Sequence, residues 1–275
     1  MKAVVLIDNK TKEDVFSPEW GLSILIDYRE KRYLLDTGSS PQFASNAKTM
    51  GIDLSSVDYG ILSHAHYDHA NGMKEFFDVN KKAKMHIAEG TECNCYFKYG
   101  FVKRYIGIKP EYMEENSDRI VKVIMPKSGF ATIDEGVYIV PHRTKGLQKI
   151  GKKNHMYLKT DRAMAPDDFR HEQSLVFDTS KGLAVFNSCS HGGVANIIRE
   201  VQAAIPDRNV YCFVGGFHLA GSSKRTAYKV AEEIAETQVK RIITGHCTGD
   251  KAYRCLEEVL GDRIEQLYTG MKFEV

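Results

Sequence analysis

Short apolar runs alternate along this chain with loops of small and polar residues, and five of the runs end on side chains capable of chemistry. "KRYLLDTGSS" delivers Asp36, "YGILSHAHYDH" a histidine cluster, "GLAVFNSCSHGG" Cys189 and His191, "NVYCFVGGFHL" His218, and "KRIITGHCTG" His246. Each run is β-branched, aromatic and of strand length, so each predicts a strand. Between them the apolar spacing changes to three and four. Ser40-Pro41 opens a helix that stops at Gly51. "GGVANIIREVQAAIP" sets Val194, Ile197, Ile198, Val201 and Ile205 on one face, and "SSKRTAYKVAEEIAETQ" does the same with Ala227, Val230, Ala231 and Ile234. "DKAYRCLEEVLGD" starts with Asp250 as N-cap, carries Leu256, Val259 and Leu260, and closes at Gly261. Alternating strands and helices predict sheets covered by helices, with sites at the carboxyl ends of strands. In the N-terminal third, "AVVLI", "GLSILIDYR" and "KRYLLDTG" follow one another with short turns, as antiparallel neighbours do. The expected class is therefore mixed α/β.

The stretch from about 73 to 168 is less regular and reads as an insertion or lid within a single domain spanning 1–275. It holds a helix (Met73, Phe76, Phe77), strand-like pieces "KMHIAEG", "RIVKVIM" and "GVYIVPH", and the basic run "HRTKGLQKIGKKNHMYLKTDR", with seven Lys or Arg against Asp161. That run is either a solvated loop or a flap over an anionic substrate, with Lys145, Lys149, Lys152 and Lys153 as contacts. Charge adds little elsewhere, since a formal net charge of +2 gives no global attraction to nucleic acid or membrane. The apolar stretch Ala3 to Ile7 is too short for a secretory signal, and no later stretch approaches the roughly 20 apolar residues of a spanning helix. A cytoplasmic protein is expected, and its six cysteines then read as reduced thiols.

The densest chemistry is "HAHYDH", in which His64, His66, Asp68 and His69 follow the pattern H-x-H-x-D-H. Neutral imidazole and carboxylate are ligands for borderline divalent metals such as Zn²⁺. Four ligands in six positions overfill one open tetrahedral site and supply half of what two adjacent metals need. The remaining ligands should come from other strand ends. His246, between two glycines, and His191 both qualify; His171, in "FRHEQSLVF", competes with His191. Cys189 offers either a bridging thiolate or an inert buried thiol. His218 is assigned as a proton donor to a leaving group. Asp36 is assigned as the acceptor that orients a ligand imidazole. For His86, His142 and His155 a surface or core role is expected.

With these residues in place, the chain resembles the metallo-β-lactamase fold superfamily, through "LLDTG", "LSHAHYDHANG", "FNSCSHGG" and "IITGHCTG" in that order. The resemblance implies a four-layer αββα sandwich with a dinuclear site along one edge. By that likeness His64, His66 and one later histidine hold the first metal, and Asp68, His69 and His246 the second. Zinc is expected at two per chain, with iron or manganese as alternatives. "NSCSHGGVANII", "GGFHLAG" and "GHCTG" are similar to the branch named after 7,8-dihydropterin-6-methyl-4-(β-D-ribofuranosyl)aminobenzene-5′-phosphate synthase, many of whose relatives are called metal-dependent hydrolases. Two departures stand out: the usual bridging aspartate is either replaced by Cys189 or absent, and a histidine follows that strand, at His191, where the superfamily usually has one before it, near His171.

Two cations about 3.5–4 Å apart lower the pKa of a bridging water and polarise a carbonyl or phosphoryl oxygen. The implied activity is hydrolysis of an anionic small molecule, with phosphorylated ones among the candidates, by a metal-bound hydroxide that Asp68 orients. The alternative is the synthase chemistry of the named branch, with Tyr96, Phe97, Tyr99, Phe101 and Tyr105 as candidates to stack on a pterin. Related diiron flavoproteins carry Glu where this chain has His66, together with an appended flavin domain, and nuclease members carry broader basic surface. A metal-stabilised binding protein without turnover is a further alternative. The expected partner is a small anionic substrate, with neither nucleic acid nor membrane; a homodimer is compatible with this reading.

Overall fold

The computed structural model describes residues 1–124, 126–161 and 163–275. Met125, the last residue of the expected strand "RIVKVIM", and Arg162, the last of the basic run, lie outside the described residues. Two seven-stranded sheets face one another. The first runs in spatial order Lys272–Glu274, Lys2–Ile7, Ser23–Tyr28, Lys31–Leu35, Tyr59–Ile61, Lys84–Ala88 and Ile120–Val123. The second runs Ile264–Gln266, Arg241–Thr244, Val210–Val214, Gly182–Phe186, Gln173–Thr179, Val137–Pro141 and Ala131–Asp134. The N-terminal strands pair antiparallel, as their short turns require. Successive strands joined through a helix pair in parallel: Lys31–Leu35 with Tyr59–Ile61, Gly182–Phe186 with Val210–Val214, and Val210–Val214 with Arg241–Thr244.

Alternation along the strands decides the layers. Ala184, Phe186, Val214 and Ile243 turn inward and meet Ile24, Ile26, Leu35 and Ile61 of the other sheet. Val185, Phe213 and Ile242 turn outward, under the helices Val194–Ala204, Lys224–Glu236 and Asp250–Leu260. On the opposite outer face Leu6, Leu25 and Leu34 pack under Gln42–Thr49 and Met73–Val79. The order is helix, sheet, sheet, helix, an αββα sandwich. Two details of the helix reading shift. Asp250 is the first helical residue rather than the cap, a place taken by Gly249 (φ 73°), and its carboxylate pairs with Lys10. Val259 is 37% exposed although its spacing matched the apolar stripe.

The stretch 73–168 divides three ways. Lys84–Ala88 and Ile120–Val123 complete the first sheet, and Ala131–Asp134 and Val137–Pro141 complete the second. The remaining strands, Met164–Pro166, Met156–Lys159, Cys95–Tyr99 and Val102–Tyr105, form a separate four-stranded antiparallel sheet. This lid sheet is tied to the histidine motif: Tyr67 N–H donates to Ile106 O at 2.9 Å, and His66 bridges to Gly107.

Candidate metal centre

Five strand ends deliver the site. Leu35, Ile61, Phe186, Val214 and Thr244 each end a strand shortly before Asp36, His64, Cys189, His218 and His246, respectively. His66 is still extended (φ −92°, ψ 149°), and the chain then turns into the single helical turn Tyr67–Ala70, which carries Asp68 and His69. Several loops adopt left-handed backbone at non-glycine residues: Asp36 (φ 58°), Ser190 (52°), His218 (50°) and His246 (46°). Such conformations cost about 1–3 kcal/mol each and persist only where surrounding structure enforces them. Gly216 shows how tight that surrounding is, since a Cβ there would lie 2.5 Å from Cys247 Sγ.

Hydrogen bonds fix which ring nitrogens carry protons. His69 Nδ1–H donates to Asp36 Oδ2 at 2.8 Å. Ser63 Oγ–H donates to the same oxygen at 2.6 Å, so Ser63 Oγ can only accept from His64 Nδ1–H, 2.8 Å away. Asn9 Oδ1, already accepting Gly21 N–H, accepts His246 Nδ1–H at 2.9 Å. Asp8 accepts the His246 backbone N–H at 2.8 Å. Three imidazoles are thereby held with Nε2 facing inward, the arrangement in which a hydrogen bond on one nitrogen orients the other toward a metal.

Those nitrogens converge. His69 Nε2 and His246 Nε2 lie 3.2 Å apart, and Asp68 Oδ2 is 3.6 Å from the first and 3.5 Å from the second. Cys189 Sγ is 3.4 Å from His69 Nε2. His64, Cys189 and His191 form an adjoining group whose ligand atoms lie within 4.8 Å of one another. His64 Nε2, His66 Nε2 and both ring nitrogens of His191 are buried without a hydrogen-bond partner among the described residues. Unpaired buried polar atoms are costly, and a cluster of them calls for a partner. His66 belongs with this group by its rings, 4.6 Å from His64 and 4.9 Å from His191. His191 is steadied from outside by Phe169, stacked at 4.4 Å, and by Glu172, whose carboxylate accepts the backbone N–H groups of His191 and Gly192 at 2.7 and 2.9 Å.

His171 is placed differently. Its Nδ1 accepts Ala65 N–H at 3.2 Å, so its proton sits on Nε2, which donates to Asp167 at 3.1 Å. A protonated Nε2 has no lone pair for a metal, although Cys95 and His66 lie close by. His218 packs against His191 at 4.4 Å with its backbone N–H on Cys247 Sγ at 3.2 Å, and Cys247 Sγ is 3.3 Å from Cys189 Sγ.

The electrostatics sort these groups. Burial, reinforced by neighbouring imidazoles, holds His64 and His191 well below the usual histidine range and His66 down at about 3, so all three are neutral. Burial also opposes charge on His69, but the Asp68 and Asp36 carboxylates outweigh it and push that imidazole up to about 10. Burial pushes Asp68 up while His69 and His246 pull it further down, leaving the carboxyl well below its ordinary value. Burial drives the Cys189 thiol well up. The centre thus offers neutral ligands around one spot with a strong preference for a cation.

A cavity of about 310 Å³ opens on the cluster, lined by Asp68, His66, His191, Cys189, His218 and Cys247 on one side. Trp20, Tyr67, Phe97, Ile106, Met156 and Arg104 form the other walls. Lys145, Lys149, Lys152 and Lys153 are exposed and line none of it; Lys153 borders a neighbouring hollow with His218. Of the aromatic candidates only Phe97 reaches the cavity. Tyr99 and Phe101 are exposed, while Tyr96 packs on Tyr105, whose hydroxyl donates to Ile108 O. His142 is a buried hydrogen-bonded residue between Glu200 and Ser174. The sequence reading missed Asp8, Asn9, Glu172, Cys247, Trp20 and Arg104. Asp8 and Asn9 follow an apolar strand as Asp36 does, and that shared position was the available signal.

Comparison with known proteins places this geometry. The family model for the metallo-beta-lactamase superfamily matches residues 20–150. The chain is 28% identical over 274 residues to 7,8-dihydropterin-6-methyl-4-(beta-D-ribofuranosyl)-aminobenzene-5′-phosphate synthase of Methanocaldococcus jannaschii, covering 92% of this chain and 90% of that protein. An uncharacterized protein of the same organism is 27% identical over 263 residues, covering 93% of each. Among solved structures, Tm1679, described as a metal-dependent hydrolase of the beta-lactamase superfamily, superposes with a TM-score of 0.84 at 28% identity over 100% of this chain and 99% of that one. Its αββα layers, its histidine motif and these matches are those of the metallo-β-lactamase fold.

Proposed function

We propose that the chain is a dinuclear, zinc-dependent hydrolase of a small anionic ester, phosphoester or amide. The observation that carries this reading is the convergence of His69 Nε2, His246 Nε2 and Asp68 Oδ2 at 3.2–3.6 Å from one another. Ligand atoms about 2.0–2.2 Å from a tetrahedral Zn²⁺ stand roughly 3.3–3.5 Å apart, so the three fit one ion. Asp68, His69 and His246 would hold one metal, and His64, His66 and His191 the other. His191 is preferred to His171 because the Ala65 N–H occupies His171 Nδ1. Cys189 belongs to candidate groups on both sides, and its thiolate is assigned as a ligand between the two.

Bound metals would supply Lewis acidity and a water activated near neutral pH. The residues do the rest. Asp36 and Asn9 keep the ligand imidazoles turned inward. Asp68, buried yet lining the cavity, offers a carboxylate oxygen to orient a nucleophilic water, and the neighbouring His218 is the group positioned to give a proton to a leaving group. Walls made of Trp20, Phe97, Ile106 and Met156 exclude bulk water from the reacting atoms.

A second reading has its own support in the similarity to the Methanocaldococcus synthase. There the same metals would bind and polarise one organic substrate while a second, in place of water, attacks. Elemental analysis and a product screen over phosphoesters, lactones and pterins, each with and without an aminobenzene riboside phosphate, separate the two. Under either reading His66→Ala is expected to remove turnover and at least one equivalent of metal. Retention of both would refute the ligand assignment.

A further inference from the structure

The lid sheet presents one row of side chains to the cavity. Register pairs Met156 with Phe97 and Phe97 with Arg104, so the three lie side by side on the same face across three strands, and all three line the cavity. The row is locked in place two residues beyond Arg104, where Ile106 O accepts Tyr67 N–H at 2.9 Å and Gly107 bridges to His66. Among the described residues, Arg104 is the only Arg or Lys that lines the cavity. Its guanidinium lies 5.9 Å from the centre of the Tyr67 ring and is solvent-exposed, and no carboxylate is in ion-pair reach among the described residues. Around it the wall is apolar and partly aromatic: Phe97, Met156, Ile106 and Trp20, the last half-exposed at 48% with its ring 5.2 Å from that of His246.

We infer that Arg104 is the specificity-determining residue of this site, and that the substrate class is a flat aromatic or heteroaromatic body carrying an oxyanion, phosphate or carboxylate, that Arg104 receives. The inference rests on the cavity being the active site of the proposed metalloenzyme. A planar guanidinium matches the oxygens of such a group in bidentate fashion, which an ammonium does not. The lid row sets the order of recognition: Phe97 and Met156 cover the body, and Arg104 sits at the end of the row. It also moves anion recognition from the basic run of residues 143–162, whose lysines face solvent, to a single residue on the lid.

Trp20 is the chain's single tryptophan and lines the cavity, so its fluorescence reports occupancy. The as-purified protein is titrated with phenylphosphonate and with benzyl alcohol, and metal content is measured on the same samples. Arg104→Met should raise the Kd for phenylphosphonate about tenfold, the usual scale for losing a charge-assisted hydrogen bond, and leave benzyl alcohol unchanged. Arg104→Lys should fall between the two. Lys149→Met, Lys152→Met and Lys153→Met combined should shift neither ligand. Wild-type affinity in Arg104→Met, loss of affinity in the lysine variant instead, or silence of Trp20 in the wild type would each overturn the inference. A wild type that binds phenylphosphonate through Arg104 yet carries no metal would sink the metal centre and leave the role of Arg104 standing.

Discussion

Asp36 shows how one side chain can set the chemistry of several. Its Oδ2 accepts from His69, Ser63 and Ser188, and through Ser63 it also fixes the tautomer of His64. His69 is the pivot of the charge balance, because carboxylates on both sides favour a cation at its Nε2. Below its pKa of about 10 that cation is a proton, and a metal must displace it. The sign follows: metal affinity should rise with pH, by about tenfold per unit for each proton released, and the contribution of His69 should level off above pH 10. His64, His66 and His191 are already neutral and release nothing. Cys189, held protonated by burial, releases a second proton if it ligates as proposed. Calorimetry at pH 8 in buffers of different ionisation enthalpy should therefore count one proton fewer for Cys189→Ser than for the wild type. A count of zero in both would contradict the assignment of His69 Nε2 as ligand.

At the level of elements, the loops after the strands hold the site only because backbones approach closely. The loop Gly215–His218 packs on Cys247 and Ser188 with no room for a side chain at Gly216. Gly216→Ala should destabilise the fold by about 1–3 kcal/mol, as overpacking does, and displace His218 and Cys247 together. Denaturant unfolding with metal analysis reads both effects, and wild-type stability would show that the loop has slack. The sequence made the strands, and most helices, legible because apolar periodicity is local: Val194, Ile197, Ile198 and Val201 are all buried where spacing put them. It left the lid sheet within 73–168 obscure because its two hairpins meet each other across a long stretch of chain. Cys95–Tyr99 pairs with Met156–Lys159, a separation that no local pattern records.

For the molecule as a whole, the candidate metal centre joins both sheets. Asp36 and the histidine motif follow strands of the first, while Cys189, His218 and His246 follow strands of the second. An ion bound across them binds the folded state and not the unfolded chain, so it stabilises by mass action. Chelation should lower Tm by about 10 °C, the shift expected when a ligand at 1,000-fold its Kd is lost from a chain of this size, and added Zn²⁺ should restore it. An unchanged Tm after verified removal of metal would mean that the cluster carries no such load. No described helix is long and apolar enough to cross a membrane.

The sequence by itself determined the motif residues and their place at strand ends, since H-x-H-x-D-H and the apolar runs before it are written in consecutive positions. Tertiary structure decided the selections among them. His191 and His171 look alike in sequence, and only the Ala65 N–H, 106 residues from His171, occupies the Nδ1 of the latter. Lysine density suggested a basic flap, yet the cavity is lined instead by Arg104, because strand register rather than local charge chooses which side chains face inward. Ligand types are a property of residues; their convergence and tautomers depend on hydrogen bonds and pairings between segments that the chain brings together only on folding.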